Sequence, residues 1–197
     1  MNENSISQNQ IDEYKEQIVL NPDDLDTLIK ISQIFIDRQD FSEAELYLKK
    51  IIALATDNYE IMYFIAYVCE KQNKYTEAIS WSKKCLELCN THSKSLYLLG
   101  KIYNKTEEYT LAIKYLNEAL ECSLEDQEYL STYSELADAY EKTLLYDQAI
   151  HVLEQALERS EKTDNFKAKF TISLISNYIN KNNFVKAEEI INSTTDN

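Results

Sequence analysis

Glycine and proline are nearly missing from this sequence: Gly100 and Pro22 are the single instances in 197 residues. Phosphate-cradling loops, dinucleotide-binding turns and tight β-hairpins need glycine where φ is positive or where backbone must approach a ligand closely. P-loop and Rossmann chemistry are therefore excluded. Positive charge is scarce as well. The 20 Lys plus Arg stand against 34 Asp plus Glu, a formal net charge of −14, and they are scattered along the chain. That pattern repels a phosphate backbone, so no nucleic-acid partner is expected. Long apolar runs are missing too: the longest, Ile61 to Cys69, is half a membrane span, and the opening Met1-Asn2-Glu3-Asn4 has neither a basic nor an apolar stretch. The expectation is a soluble, cytoplasmic protein without membrane insertion. Four cysteines in a chain of this size do not make a disulfide framework.

What the sequence does have is a repeat. An aromatic residue followed three positions later by alanine occurs at Phe41/Ala44, Tyr75/Ala78, Tyr109/Ala112, Tyr146/Ala149 and Phe184/Ala187, with spacings of 34, 34, 37 and 38. Upstream of each lies a second set at helical spacing. The first three sets are Leu28, Ile31, Ser32, Phe35, then Met62, Ile65, Ala66, Cys69, then Leu96, Leu99, Gly100, Tyr103. Tyr133, Leu136, Ala137, Tyr140 and Thr171, Leu174, Ile175, Tyr178 complete the series. Offsets of three, one and three put these side chains on one helix face, and the small residue in the set lets a second helix come close. Each unit reads as a helical hairpin.

The pattern resembles the tetratricopeptide repeat family over residues 25 to 197. The resemblance implies an all-α, right-handed superhelical solenoid of helix-turn-helix repeats. Residues 1–24 would form a tail and the capping helix of an incomplete repeat, with Ile11, Tyr14 and Ile18 as its apolar edge. Repeats follow at 25–58, 59–92, 93–126, 127–163 and 164–197, the last with a short second helix. Departures from the family pattern carry expectations of their own. The small slot holds Ile175 in the fifth copy, where packing should be loosest. The turns inside the hairpins hold Gln39, Asn73, Glu107, Leu144 and Asn182, of which only the asparagines suit a left-handed conformation; the other three turns should close differently. The extra residues around Ser123 to Glu128 and Ser160 to Asn165 read as lengthened inter-repeat loops.

Candidate chemistry is thin. Cys85, Cys89 and His92 lie four and three apart and could share a helix face as metal ligands. Cys85, however, occupies the buried slot of Ala119 and Ala156, and no fourth ligand is in view, so the expectation is no metal and no other cofactor. Cys69, in the aromatic slot of the first helix, reads as core. His151 has no Ser or Cys nucleophile beside it, and no enzyme activity is expected. Tyr47, Trp81, Tyr115, Val152 and Ile190 share one slot on the second helices and are expected to pack against the adjacent repeat.

The resemblance implies that first-helix residues just off the packing stripe line a concave groove. In repeats two and three these slots hold Tyr63 and Tyr67, then Lys94, Tyr97, Lys101, Asn104 and Lys105; in repeats four and five they include Ser134, Asp138, Glu141 and Lys169. Three aromatic rings and three lysines in an otherwise acidic protein suit an extended protein or peptide segment carrying apolar side chains and acidic character. The family's two-carboxylate clamp is absent, since Gln33 and Tyr67 stand at its asparagine slots. The expected function is a non-enzymatic adaptor or chaperone-like module. The alternatives are a scaffold that self-associates through its C-terminal repeat and a regulatory subunit of an enzyme complex.

Overall fold

The computed structural model describes residues 8–122, 126–160 and 164–195, and these contain eleven α-helices and no strand. The chain divides into two compact units, Met1–Asn90 and Thr91–Asn197. The first holds α1 (Gln8–Leu20), α2 (Leu25–Asp37), α3 (Phe41–Leu54), α4 (Tyr59–Lys71) and α5 (Tyr75–Leu88). The second holds α6 (Ser93–Lys105), α7 (Tyr109–Leu120), α8 (Asp126–Lys142), α9 (Tyr146–Arg159), α10 (Asp164–Asn180) and α11 (Phe184–Thr195). Within each unit every helix packs on the next, and in the second unit α8 also touches α6 and α10. The fold class is an all-α helical solenoid.

Each aromatic residue of the repeated motif opens the second helix of a hairpin, and each partner alanine is buried. On the first helices the apolar stripe is closed off from water, as in Leu28 and Ile31, Ile65 and Cys69, Leu99 and Tyr103. The single glycine has a steric reason: a Cβ at Gly100 would stand 2.4 Å from Leu116 Cγ and 2.6 Å from its Cδ2. Leu116 is itself fully buried, so it has nowhere to retreat.

All five hairpins close in the same way, which overturns the expectation for three of them. Gln39, Asn73, Glu107, Leu144 and Asn182 have φ of 62°, 59°, 63°, 61° and 57°. In each turn the residue after the left-handed one donates its N–H back to the carbonyl of the residue in the repeat's aromatic slot. The bonds are Asp40 to Phe35 (2.8 Å), Lys74 to Cys69 (2.9 Å), Glu108 to Tyr103 (2.8 Å), Leu145 to Tyr140 (2.8 Å) and Asn183 to Tyr178 (2.8 Å). The left-handed residue donates to the next carbonyl, as Leu144 does to Glu141 at 3.0 Å. This is a Schellman closure, and it satisfies helix-end carbonyls that would otherwise be orphaned. A non-glycine residue in this conformation costs about 1–2 kcal/mol, so Gln39, Glu107 and Leu144 are held there by the hairpins they join.

The supposed lengthened loops are a second correction. Residues 123–125 and 161–163 lie outside the described residues, but α8 and α10 are each 17 residues long, against 13 for α2, α4 and α6. The extra residues extend the first helices of these hairpins by about one turn at their N-termini. In the last hairpin Ile175 replaces the small residue, and α11 buries only Ala187 among its described side chains while Ile191 is 43% exposed. A cavity of about 370 Å³ opens beside Ile175.

Leu144 is 69% exposed, so replacing it loses no packing. Leu144→Gly should raise stability by about 0.5–1 kcal/mol, the left-handed penalty less the added entropy of the unfolded chain. Gly100→Ala should lower it by about 1–2 kcal/mol, because the clash with Leu116 exceeds alanine's gain in helix propensity. Urea unfolding of the two variants checks both signs.

Candidate functional site

The residues singled out for ligand contact fall on α4 of the first unit and α6 of the second, and each set is described within its own unit. On α4, Tyr63 and Tyr67 are half-buried in a small aromatic cluster. Their ring centroids are 6.3 Å apart, Tyr63 lies 5.3 Å from Phe64, and Tyr67 meets Phe41 of α3 edge-on at 6.4 Å. The Lys71 ammonium stands 5.2 Å from the centre of the Tyr67 ring. The rings are thus held in place while part of each remains accessible.

On α6, Lys94, Tyr97, Lys101 and Lys105 are spaced three, four and four apart, which sets them along one face. Lys94 and Lys105 are exposed; Tyr97 and Lys101 are half-buried. Lys94 pairs with Glu128 of α8 at 3.7 Å, a solvated contact of small worth that a ligand carboxylate can displace. Asn104 differs from the rest. It is only 8% exposed, and its Nδ2 donates to the Glu135 carbonyl (2.8 Å) and to Glu135 Oε2 (3.0 Å), tying α6 to α8. Its amide nitrogen is committed to the fold, so Asn104 is not carried forward as a ligand contact.

Cys85, Cys89 and His92 do not share a helix. Cys85 is buried inside α5, Cys89 follows the end of that helix, and His92 caps the start of α6. His92 Nδ1 accepts the Ser95 N–H at 3.3 Å, just as Asn58 Oδ1 accepts the Ile61 N–H at 3.1 Å at the start of α4. The histidine is an N-cap. The shared slot of the second helices also packs differently from the expectation. Tyr47 stacks on Phe35 and Tyr115 on Tyr103, each at 5.6 Å, so these rings lie on the first helix of their own hairpin. In the second repeat Cys69 takes the place of that ring; Trp81 is half-buried, with the Lys84 ammonium 4.3 Å from its centre.

One polar joint escaped the sequence reading. Glu45 of α3 is buried and accepts hydrogen bonds from Lys49 (2.5 Å), Lys74 (2.8 Å) and Gln72 (2.8 Å). Gln72 also donates to the Phe41 carbonyl at 3.3 Å, so the turn between α4 and α5 is latched to the preceding hairpin. Burial opposes the charge on Glu45, but the bonds from Lys49, Lys74 and Gln72 outweigh it and hold the carboxyl down at about 2. Cys69 and Glu77 lie close to Glu45, close enough for three metal-ligating atoms to converge. Glu45 is already occupied by two ammonium groups, and burial, reinforced by Glu45 and Glu77, pushes the Cys69 thiol up to about 11. The group fits an ion-paired joint better than a metal site.

Helical hairpins packed in sequence, each closed through the same turn, define a helical-repeat solenoid. The chain is a tetratricopeptide repeat protein. The model of the tetratricopeptide repeat matches residues 91–162, and that of the anaphase-promoting complex, cyclosome, subunit 3 matches residues 37–119. No curated protein matches the sequence. Among solved structures, MamA from Desulfovibrio magneticus RS-1 is similar at 21% identity with a TM-score of 0.75, covering 87% of this chain and 93% of that one. YrrB, described as a TPR protein with an unusual peptide-binding site, is similar at 21% identity and a TM-score of 0.71, covering 93% and 91%. A putative kinesin light chain with TPR-like repeats from Podosopora anserina gives 16% identity and a TM-score of 0.68, covering 87% and 93%. These likenesses are of fold. Repeats of this family form protein–protein interaction modules.

The Glu45 joint has a pH signature. Its carboxyl sits below the ordinary value of 4.5, so the stability it contributes is present above pH 4.5 and is lost as the pH falls toward 2. Glu45→Gln should cost about 1–2 kcal/mol near neutrality and flatten the acid slope between those limits. Urea titrations across that range measure both effects.

Proposed function

We propose that this protein is a non-enzymatic adaptor that holds an extended peptide with apolar side chains and at least one carboxylate against its first helices. The observation that carries this reading is the α6 face of Lys94, Tyr97, Lys101 and Lys105, a cationic row in a protein of net charge −14. A tyrosine amid lysines offers apolar area at low rotamer cost, and the lysines draw a carboxylate in and fix its register. On α4, Tyr63 and Tyr67 form a pre-packed aromatic surface suited to apolar side chains. The adaptor or chaperone-like role follows from binding without a reaction.

A second reading, self-association, draws on the last hairpin. Ile172, Phe184 and Val185 are 69%, 60% and 68% exposed there, beside the cavity at Ile175. Light scattering that gives a monomer across the micromolar range removes it.

The adaptor reading is tested on a partner captured with the intact chain and identified by mass spectrometry. Lys101→Glu with Lys105→Glu should slow association about tenfold or more and reduce its salt dependence. Tyr67→Ala should instead speed dissociation by a similar factor. Surface plasmon resonance separates the two rates, and a captured partner indifferent to all three substitutions contradicts the reading.

A further inference from the structure

Beside the cationic face of α6 lies a site of opposite sign. Within the second unit, α8, α9 and α10 enclose a cavity of about 180 Å³ whose wall carries Glu135, Asp138 and Glu141 from α8, with Lys169 and Phe170 from α10. Three carboxylates face one ammonium. Lys169 is exposed and donates to Ser134 Oγ at 2.5 Å, and among the described residues none of the three carboxylates has an ion-pair partner.

Two buried amides fix this wall. Asn177, fully buried, donates from Nδ2 to Glu141 Oε1 (2.5 Å) and to the Ser173 carbonyl (2.8 Å), both parts of the cavity lining. On the other side of α8, Asn104 does the same for Glu135. Each amide therefore has its nitrogen spent on the wall and its Oδ1 left with no hydrogen-bond partner. A buried acceptor without a donor is costly, and two of them braced against uncompensated carboxylates call for a ligand rich in N–H groups. A single metal ion fits poorly. The one group of metal-ligating atoms that converges within 4.8 Å among the described residues is at Glu45, not here. The carboxylates are spread along α8, a layout that suits a planar group with five donors.

We propose that this cavity is a subsite for the guanidinium of an arginine side chain on the bound peptide. The carboxylates of Glu135, Asp138 and Glu141 supply the charge, Asn177 Oδ1 accepts one N–H, and the buried ring of Phe170 with Leu153 receives the methylene stem. The inference rests on the peptide-binding reading above and deepens it: the segment that binds carries a base as well as an acid. Lys169 is the resident cation that an arginine displaces from the rim.

The test is a titration of the full, 15N-labelled chain at low salt with N-acetyl-arginine methylamide, its uncharged citrulline analogue, and N-acetyl-glutamate methylamide, each to ~20 mM, the range where single side chains bind. The arginine probe should shift the side-chain amide signals of Asn177 and Asn104 and the backbone signals of α8 saturably, and the citrulline analogue should not. Asp138→Asn, at an exposed position with no hydrogen-bond partner among the described residues, should weaken the arginine probe about tenfold, the worth of one charge-assisted hydrogen bond; Lys169→Gln should tighten it. No response to arginine, an equal response to citrulline, or indifference to Asp138→Asn overturns the proposal. The glutamate probe reports on α6 separately. Shifts at Lys94 to Lys105 with glutamate but none at α8 with arginine would sink this inference alone, whereas the reverse would sink the carboxylate reading and leave the arginine subsite standing.

Discussion

The structure depends on how a chain with almost no glycine turns a corner. Each hairpin closes through one left-handed residue, whose successor donates to the carbonyl of the aromatic slot five positions back. That bond fixes where the first helix ends and where the second begins, and so fixes which faces of the two helices meet. Because the slot residue is Phe35, Tyr103 or Tyr140 in three of the hairpins, the carbonyl that closes the turn belongs to a side chain already anchored in the core or packed against the second helix. Packing and turn geometry then reinforce each other, and an exposed leucine is held in a conformation it would not choose alone.

Polar groups in the interior do a different job. Glu45 with Lys49, Lys74 and Gln72, Asn104 with Glu135, and Asn177 with Glu141 all bridge successive hairpins. Apolar stripes set how close neighbouring helices come, while these bonds set register along the helix axes, which greasy surfaces alone leave loose. Their arrangement also shapes the surface. In the second unit α6 presents lysines and α8 presents carboxylates, so a strongly acidic protein carries both signs on first helices that touch one another.

Much of this was legible in the sequence, because a fixed period of aromatic and alanine residues can be met only by a helical hairpin repeated in register. The start of each second helix at its aromatic residue and the burial of its alanine follow from that pattern alone. What could not be read was set by tertiary context. Gln39, Glu107 and Leu144 carry no local preference for positive φ, so their turns were expected to close differently; the flanking helices decide otherwise. The residues around 126 and 164 are polar enough to read as loop, yet they continue helices whose remaining turns are anchored by packing. Asn104 sits in a slot that faces ligand in register with Lys101, and only the position of α8 reveals that its amide is already used. Asn177 did leave a signal: a polar residue in the slot held by Ile34, Val68, Ile102 and Ala139.

Hydrogen exchange at the amides that close the hairpins tests this account most directly. The N–H groups of Asp40, Lys74, Glu108 and Leu145 lie outside the helices by sequence and at exposed positions, so nothing but the closing bond protects them. The account predicts that they exchange as slowly as amides in the middle of the adjoining helices, with Asn183 less protected at the loosely packed last hairpin. Exchange at the rate of unstructured chain at these four amides, beside protected helices, would contradict it.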